Sequence, residues 1–230
     1  MADVEGTAYA DAYRALRGRV TALLGDADPA AFDAIAPATP EWRVRDVLAH
    51  MVGVNADILA GKLEGVGTDP WTQVQVDSRV DVPVPAMLDE WNEISPAVEE
   101  IAPMFGTATG QWLFDACTHE HDLCNALGVA GDRDTDAVVL SYGWSTDRVD
   151  DVLRARDAAG ITFDTESGTK VVGVGDPLAT VRTTHFEVMR ALTGRRSRAQ
   201  IEAYGWDGPA HADVFTTLGL FSLRADDFVE

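Results

Sequence analysis

The chain has 230 residues, 46% of them hydrophobic and 24% charged, enough for one large domain or two small ones with an ample core. Its 38 acidic residues outnumber 18 basic ones, for a formal net charge of -20. Such a surface repels phosphate backbones and anionic membranes, so neither nucleic acid nor a membrane is expected as a partner.

The opening MADVEGTAYADAYRAL lacks the basic and apolar regions of a secretory signal, and no stretch reaches the roughly 18 uninterrupted apolar residues of a membrane span. Residues 7–24 carry a helical pattern (Tyr9, Tyr13, Leu16, Val20, Leu23, Leu24) that stops at Gly25. After a Pro/Ala/Asp-rich loop, Pro40 precedes a second predicted helix over 43–63. Gly53 and Gly61 lower its intrinsic propensity, so packing must hold it. Segment 66–84, with Pro70 and Pro83, reads as a long connection of the kind that often covers a site. Helices follow over 85–103, 107–127 and 135–157. The texture then changes: ITFDTESG, TKVVGVGD and LATVRTT read as two or three short strands, with GVGD at 173–176 a turn. A helix over 185–193, the basic run GRRSR, an unassigned IEAYGWDG and a short helix over 210–218 complete the chain. The expected fold is mainly α, a helical bundle over 1–158 followed by a small α+β domain over 159–230, with the boundary near Gly160.

Three side chains carry the chemistry. At about 100° per residue, His50 shares a helical face with Val47, Val54 and Ile58. Asp115 and His119, four apart, lie one turn above the other on a stripe with Trp112, Ala116, Leu123 and Ala126. Burying an imidazole and a carboxylate among apolar groups is costly unless they are paired or bound to a metal. Two nitrogens and one oxygen from two helices match a divalent metal site with an open position, zinc being the expected occupant. The bland alternative is a hydrogen-bonded pair in which Asp115 only orients His119, and spacing does not separate the two. Asp122, three residues past His119 on the same face, is placed to accept from an imidazole N–H. Asp46 and Asp57 flank His50 at one turn before and two after, so either could hydrogen-bond to a ligand or be a fourth ligand; Asp46 also sits where a helix dipole favours a carboxylate, the preferred reading for it. Glu120 and His121 project off the stripe, His121 toward a surface or groove, though in this HEH run it remains the main competitor for ligand duty.

Other chemistries have little footing. There is no G-x-S-x-G, CxxC, P-loop or HExxH. Cys117 and Cys124 are seven apart on one predicted helix, about 10 Å between Cα atoms and beyond disulfide reach, which suits packing thiols in a reducing cytoplasm. His185 opens its helix as a capping or packing residue. GRRSR follows a helix C-terminus, where the dipole favours basic residues, or it forms a cluster for a substrate carboxylate.

At these residues the chain resembles a known family. W-x-V-R-D-V-L-A-H, then a helix with a carboxylate four residues before His, x-x-D and A-L-G, is similar to the mycothiol-dependent maleylpyruvate isomerases, within the DinB-like group of metal-binding four-helix bundles. FEVMRALTGRRSRAQIEAYGWDG is similar to the tail of many members. The resemblance implies a divalent metal, usually zinc, held at His50, Asp115 and His119, with mycothiol as an external thiol. It also implies a small unsaturated acid as substrate, for isomerisation or S-transfer, and an assisting arginine for which Arg195, Arg182 and Arg224 are candidates. Two departures stand out: Asp115 where the family carries Glu, and Arg43 where Ser or Thr commonly caps the helix. A monomer or homodimer is expected. The rival class is a non-enzymatic metal- or ligand-binding protein with a structural or degenerate site.

Overall fold

The computed structural model describes residues 4–230, with side chains from residue 6. The chain divides into two compact units, the first ending at Gly131 and the second running from Asp132 to Glu230.

Four long helices build the first unit: α1 (Val4–Gly25), α2 (Val44–Ala60), α4 (Val84–Ile101) and α5 (Thr107–Ala126). A short helix, α3 (Asp69–Asp77), lies between the second and third of them and packs on α2. The α1 residues Tyr9, Tyr13, Leu16, Val20 and Leu24 recur at three- and four-residue spacing and are all buried, as the sequence pattern requires. α1 packs on α4 and α5, and α2 on the same two helices, which closes a four-helix bundle.

A polar junction ties all four helices together in the middle of that apolar core. Asn55 of α2 is fully buried. Its Oδ1 accepts from Trp112 Nε1 of α5 at 2.8 Å and from the Tyr13 hydroxyl of α1 at 3.2 Å, and its amide donates to Ser95 Oγ of α4 at 2.8 Å. Trp91 of α4 donates through Nε1 to Tyr13 Oη at 3.0 Å, while Tyr13 and Trp112 stack with ring centroids 3.7 Å apart. Burial holds the Tyr13 hydroxyl far above the ordinary phenol value, so it stays a neutral donor.

The connection expected at 66–84 contains α3, started by Pro70 in its first turn and ended by Ser78. Nine residues are too few, and too weakly patterned, to announce a helix at sequence level.

The second unit opens with α6 (Asp136–Ala155), capped by the Thr135 hydroxyl on Val138 N–H. Four strands follow among the described residues: β1 (Ala159–Thr165), β2 (Gly168–Gly173), β3 (Thr180–Arg182) and β4 (Gly205–Asp207), in sheet order β2-β1-β3-β4. β1 pairs antiparallel with β2 and parallel with β3, and β3 pairs antiparallel with β4. A bulge between Ala159 and Thr162 brings Gly160 and Gly173 together; the left-handed φ of 89° at Gly173 suits only glycine there. α7 (His185–Leu192) and α8 (Arg198–Glu202) lie between β3 and β4, so the unassigned IEAYGWDG is the end of α8 plus β4. The domain boundary expected near Gly160 follows the change from helix to strand. By contacts α6 groups with the sheet, because Val149 and Leu153 share one apolar cluster with Ile161, Phe163, Val181, Val188 and Phe215.

Within the basic run Arg196 makes buried ion pairs, alongside Arg190 of α7. Arg190 and Arg196 both hold the Glu230 side-chain carboxylate, at 2.8 and 2.7 Å, and Arg196 also holds Glu187 at 2.6 and 2.8 Å. Arg198 is exposed and pairs with Asp213.

Two stability outcomes follow from these networks. Asn55→Ala strands the Tyr13, Ser95 and Trp112 polar groups inside the bundle and should cost roughly 3 kcal/mol, read from urea unfolding midpoints. Burial raises the Glu187 carboxyl, but the Arg196 guanidinium outweighs it and holds the group below its ordinary 4.5. A depressed value stabilises fully above pH 4.5 and is lost as pH falls through the folded value. Glu187→Gln should therefore cost about 2 kcal/mol at neutral pH, and the gap to wild type should close on acidification.

Candidate functional site

The site sits where α2 and α5 face each other, near the Asn55 junction: His50 precedes Asn55 by five residues on α2, and Asp115 follows Trp112 by three on α5. The junction thereby sets the register that brings the turns carrying His50 and Asp115 level. His50, Asp115 and His119 each offer one donor atom, all within 4.8 Å of one another. His50 Nε2 lies 3.2 and 3.4 Å from the two Asp115 oxygens, and His119 Nε2 lies 3.7 Å from Asp115 Oδ1. The two imidazole rings meet edge to face, with centroids 5.0 Å apart. Both are buried, while the Asp115 side chain is 36% exposed, so the cluster opens toward solvent on the carboxylate side. Trp42, half-buried just before α2, flanks both imidazoles with centroids 5.3 and 5.8 Å away.

Each histidine is gripped from behind by its other nitrogen. His119 Nδ1 lies 3.1 Å from Asp122 Oδ2, the partner that the three-residue spacing predicts. His50 Nδ1 lies 2.8 Å from Gln75 Oε1, and Gln75 Nε2 donates to Asp57 Oδ2 at 2.8 Å. Gln75 comes from α3, inside the segment expected to be a loop, so nothing in the α2 or α5 patterns points to it. The one signal is Gly53, three residues past His50. A Cβ there would lie 2.4 Å from Gln75 Cβ, so only glycine lets α3 approach this closely. Asp57 therefore supports the site at one remove. Asp46 is local scaffolding: it accepts from the Arg43 N–H at 2.9 Å, as the acidic N3 residue of a capping box does, and pairs with the Arg43 guanidinium.

The donor set fits a divalent metal: two imidazoles held at Nδ1 turn their Nε2 atoms toward one carboxylate, with an open side for substrate. Burial pulls the His50 pKa down, but the Asp115 charge and the bonds to Asp115 and Gln75 outweigh it, and the net shift is upward. At His119 burial dominates, the His50 charge adds to it, and Asp122 and Asp115 offset it only in part, so the net shift is downward.

The neighbours on α5 depart from expectation. Glu120 and His121 are both buried, and Glu120 takes a bidentate pair from Arg19 of α1 at 2.6 and 2.9 Å. The surface position expected for His121 treated α5 as one-sided, whereas this helix is buried on nearly every face. Cys117 and Cys124 are buried, in keeping with a packing role. The three candidate arginines belong to the second unit. Arg182 is exposed on β3 and pairs with Asp164 at 3.2 Å; Arg195 is buried, donating to Thr193 O at 2.6 Å over the Phe221 ring; Arg224 lies over the Phe228 ring. His185 at the start of α7 meets Ser167 Oγ at 2.9 Å and Arg133 O at 3.0 Å.

Residues 13–156 match the family described as the mycothiol maleylpyruvate isomerase N-terminal domain, so the chain belongs to that family. Two solved structures share the fold. The crystal structure of the mycothiol-dependent maleylpyruvate isomerase aligns with a TM-score of 0.56 at 12% identity, covering 86% of this chain and 91% of that one. A histidine-to-alanine mutant of the mycothiol-dependent maleylpyruvate isomerase aligns with a TM-score of 0.54 at 12% identity, over 81% of this chain and 88% of that one. No curated protein matches the chain. Among the described residues no helix is long and apolar enough to cross a membrane.

The opposed shifts give a direct test. In metal-free protein with isotope-labelled histidine, an NMR pH titration should show His50 protonating first on acidification and His119 only at lower pH. The reverse order would contradict the electrostatics of the cluster.

Proposed function

We propose that the chain is a metal-dependent, thiol-dependent isomerase or S-transferase acting on a small unsaturated acid, with mycothiol as the external thiol and zinc as the metal. The observation that carries this reading is the convergence of His50 Nε2, Asp115 and His119 Nε2 on one point that opens to solvent at the carboxylate. Family membership supports the thiol and the substrate class. A divalent metal held there supplies positive charge that lowers the pKa of an incoming thiol.

The chain's own residues bind, orient and shield. With their Nδ1–H groups engaged by Gln75 and Asp122, the neutral rings of His50 and His119 present Nε2. Asp115 contributes the negative charge, one methylene shorter than the family's Glu, which leaves more of the open side to water or substrate. Trp42 covers one flank of both rings and limits water there. A thiolate brought to this point adds to a conjugated double bond, forming a C–S bond; rotation about the resulting single bond and expulsion of the thiolate yield the isomer with no net redox change. Arg182, Arg195 and Arg224 stay as candidates for the substrate carboxylate, and Arg182, the most exposed of the three, is the first to mutate. The chemistry suits a reducing cytoplasm. The rival is a metal-free buried pair, which the short His50–Asp115 distance also accommodates.

Metal content separates these. Protein freed of any polyhistidine tag should carry about one zinc or other divalent ion per chain by mass spectrometry, and His119→Ala should lose it. Loaded wild type should then isomerise maleylpyruvate only when thiol is added. Wild type that takes up no metal after incubation with zinc would leave the cluster a buried ion pair and end the isomerase reading.

A further inference from the structure

We propose that Gln75 is a positioning residue that fixes which nitrogen of His50 faces the metal, and that Gly53 and Asp57 serve to put it there. The proposal rests on the metal reading of His50, Asp115 and His119.

The argument begins with the acceptor at the far end of the chain of bonds. A carboxylate in its ionised form only accepts hydrogen bonds. Asp57 Oδ2 lies 2.8 Å from Gln75 Nε2, which orients the amide with its NH2 toward Asp57 and its carbonyl toward His50. Gln75 Oε1, 2.8 Å from His50 Nδ1, must then receive a proton from that nitrogen. With Nδ1–H committed, the lone pair of the neutral ring lies at Nε2, which faces Asp115 at 3.2 Å. Two acceptors at that separation repel unless a proton or a metal ion lies between them, so the relay reserves the space between His50 and Asp115 for a cation.

The backbone has been shaped for this contact. Gln75 is nearly fully buried although its helix is short and largely exposed. It reaches His50 across Gly53, where a side chain of any size would strike its Cβ and Cγ at 2.4 and 2.7 Å. Glycine in a helix interior is disfavoured by about 1 kcal/mol relative to alanine, a sacrifice of propensity that the close approach explains. Arg79, just past α3, holds Glu90 of α4 at 2.5 and 3.1 Å and pins the same C-terminal end of the short helix that carries Gln75.

The two histidines are thus supported differently: His119 by a carboxylate, His50 by a neutral amide whose orientation a carboxylate one step further out dictates. The amide avoids placing another negative charge against a site that already holds Asp115 and Asp122.

The test uses the full chain loaded with zinc, comparing wild type with Gln75→Leu, Gln75→Glu and Gly53→Ala. Zinc affinity is read by competition with a chromophoric chelator, and the His50 Nδ1 proton by NMR on histidine-labelled protein. Gln75→Leu should weaken zinc binding roughly 10- to 100-fold and abolish the slowly exchanging His50 Nδ1 proton. Gln75→Glu keeps an acceptor for His50 Nδ1 and should retain that proton, and combined with Asp57→Asn, which returns a donor to the position facing residue 75, it should restore zinc binding as well. Gly53→Ala should reproduce the loss by displacing Gln75 even though alanine favours the helix, and it serves if Gln75→Leu does not fold. Wild type that binds zinc, with Gln75→Leu and Gly53→Ala binding it equally well and keeping the proton, would overturn the positioning role and leave the metal site standing. Wild type that binds no zinc would remove the metal reading and this inference with it.

Discussion

One buried amide fixes how the four helices of the bundle meet. Asn55 contacts α1, α4 and α5 from α2 through three hydrogen bonds, and the two donors that share its oxygen are aromatic side chains stacked on each other. Apolar packing alone tolerates small slides of one helix along another. A buried amide with three partners does not, because any slide leaves a desolvated donor without its acceptor. The bundle has one register in which Tyr13, Asn55, Ser95 and Trp112 are all satisfied, and in that register His50 and Asp115 lie opposite each other.

The metal-capable cluster therefore depends on a core junction that holds no ligand. It also depends on a backbone gap: α3 lies close enough to α2 to support His50 only because residue 53 lacks a side chain. Three scales act together here. A residue without a Cβ admits a short helix, the short helix carries an amide, and the amide selects the ring nitrogen presented to the open side. The opposed directions of the His50 and His119 shifts express the same asymmetry: two buried imidazoles one contact apart differ because Asp115 sits closer to the first.

How much of this the sequence discloses depends on whether a relation is local. His50 with its apolar neighbours, Asp115 and His119 at four-residue spacing, and Asp122 three residues on are all helical-periodicity facts, and the structure unites them. Asp57, two turns past His50 on the same helix, is legible as a candidate, but Gln75 acts across 25 residues, and a neutral amide in a Pro-flanked polar stretch carries no periodic signature. His121 lies buried where a surface or groove is expected, for the opposite reason: angular arithmetic on one helix assumes an exposed back, and α5 has almost none. The partners of the basic run are equally hidden, because Glu230, which pairs with Arg196, lies 34 residues further along the chain. The change from helix to strand near Gly160 was legible, whereas the packing of α6 onto those strands is a tertiary fact.

Trp42 has a consequence of its own. Indole emission responds to charge placed beside the ring, and Trp42 flanks the two imidazoles whose charge state the cluster controls. Trp91 and Trp112, by contrast, are locked through their ring N–H groups into the Asn55 junction. Among its six tryptophans the chain thus contains separate optical probes. One reports what occupies the cluster and the others whether the bundle is intact, so light from the protein itself can tell an empty site from an unfolded one.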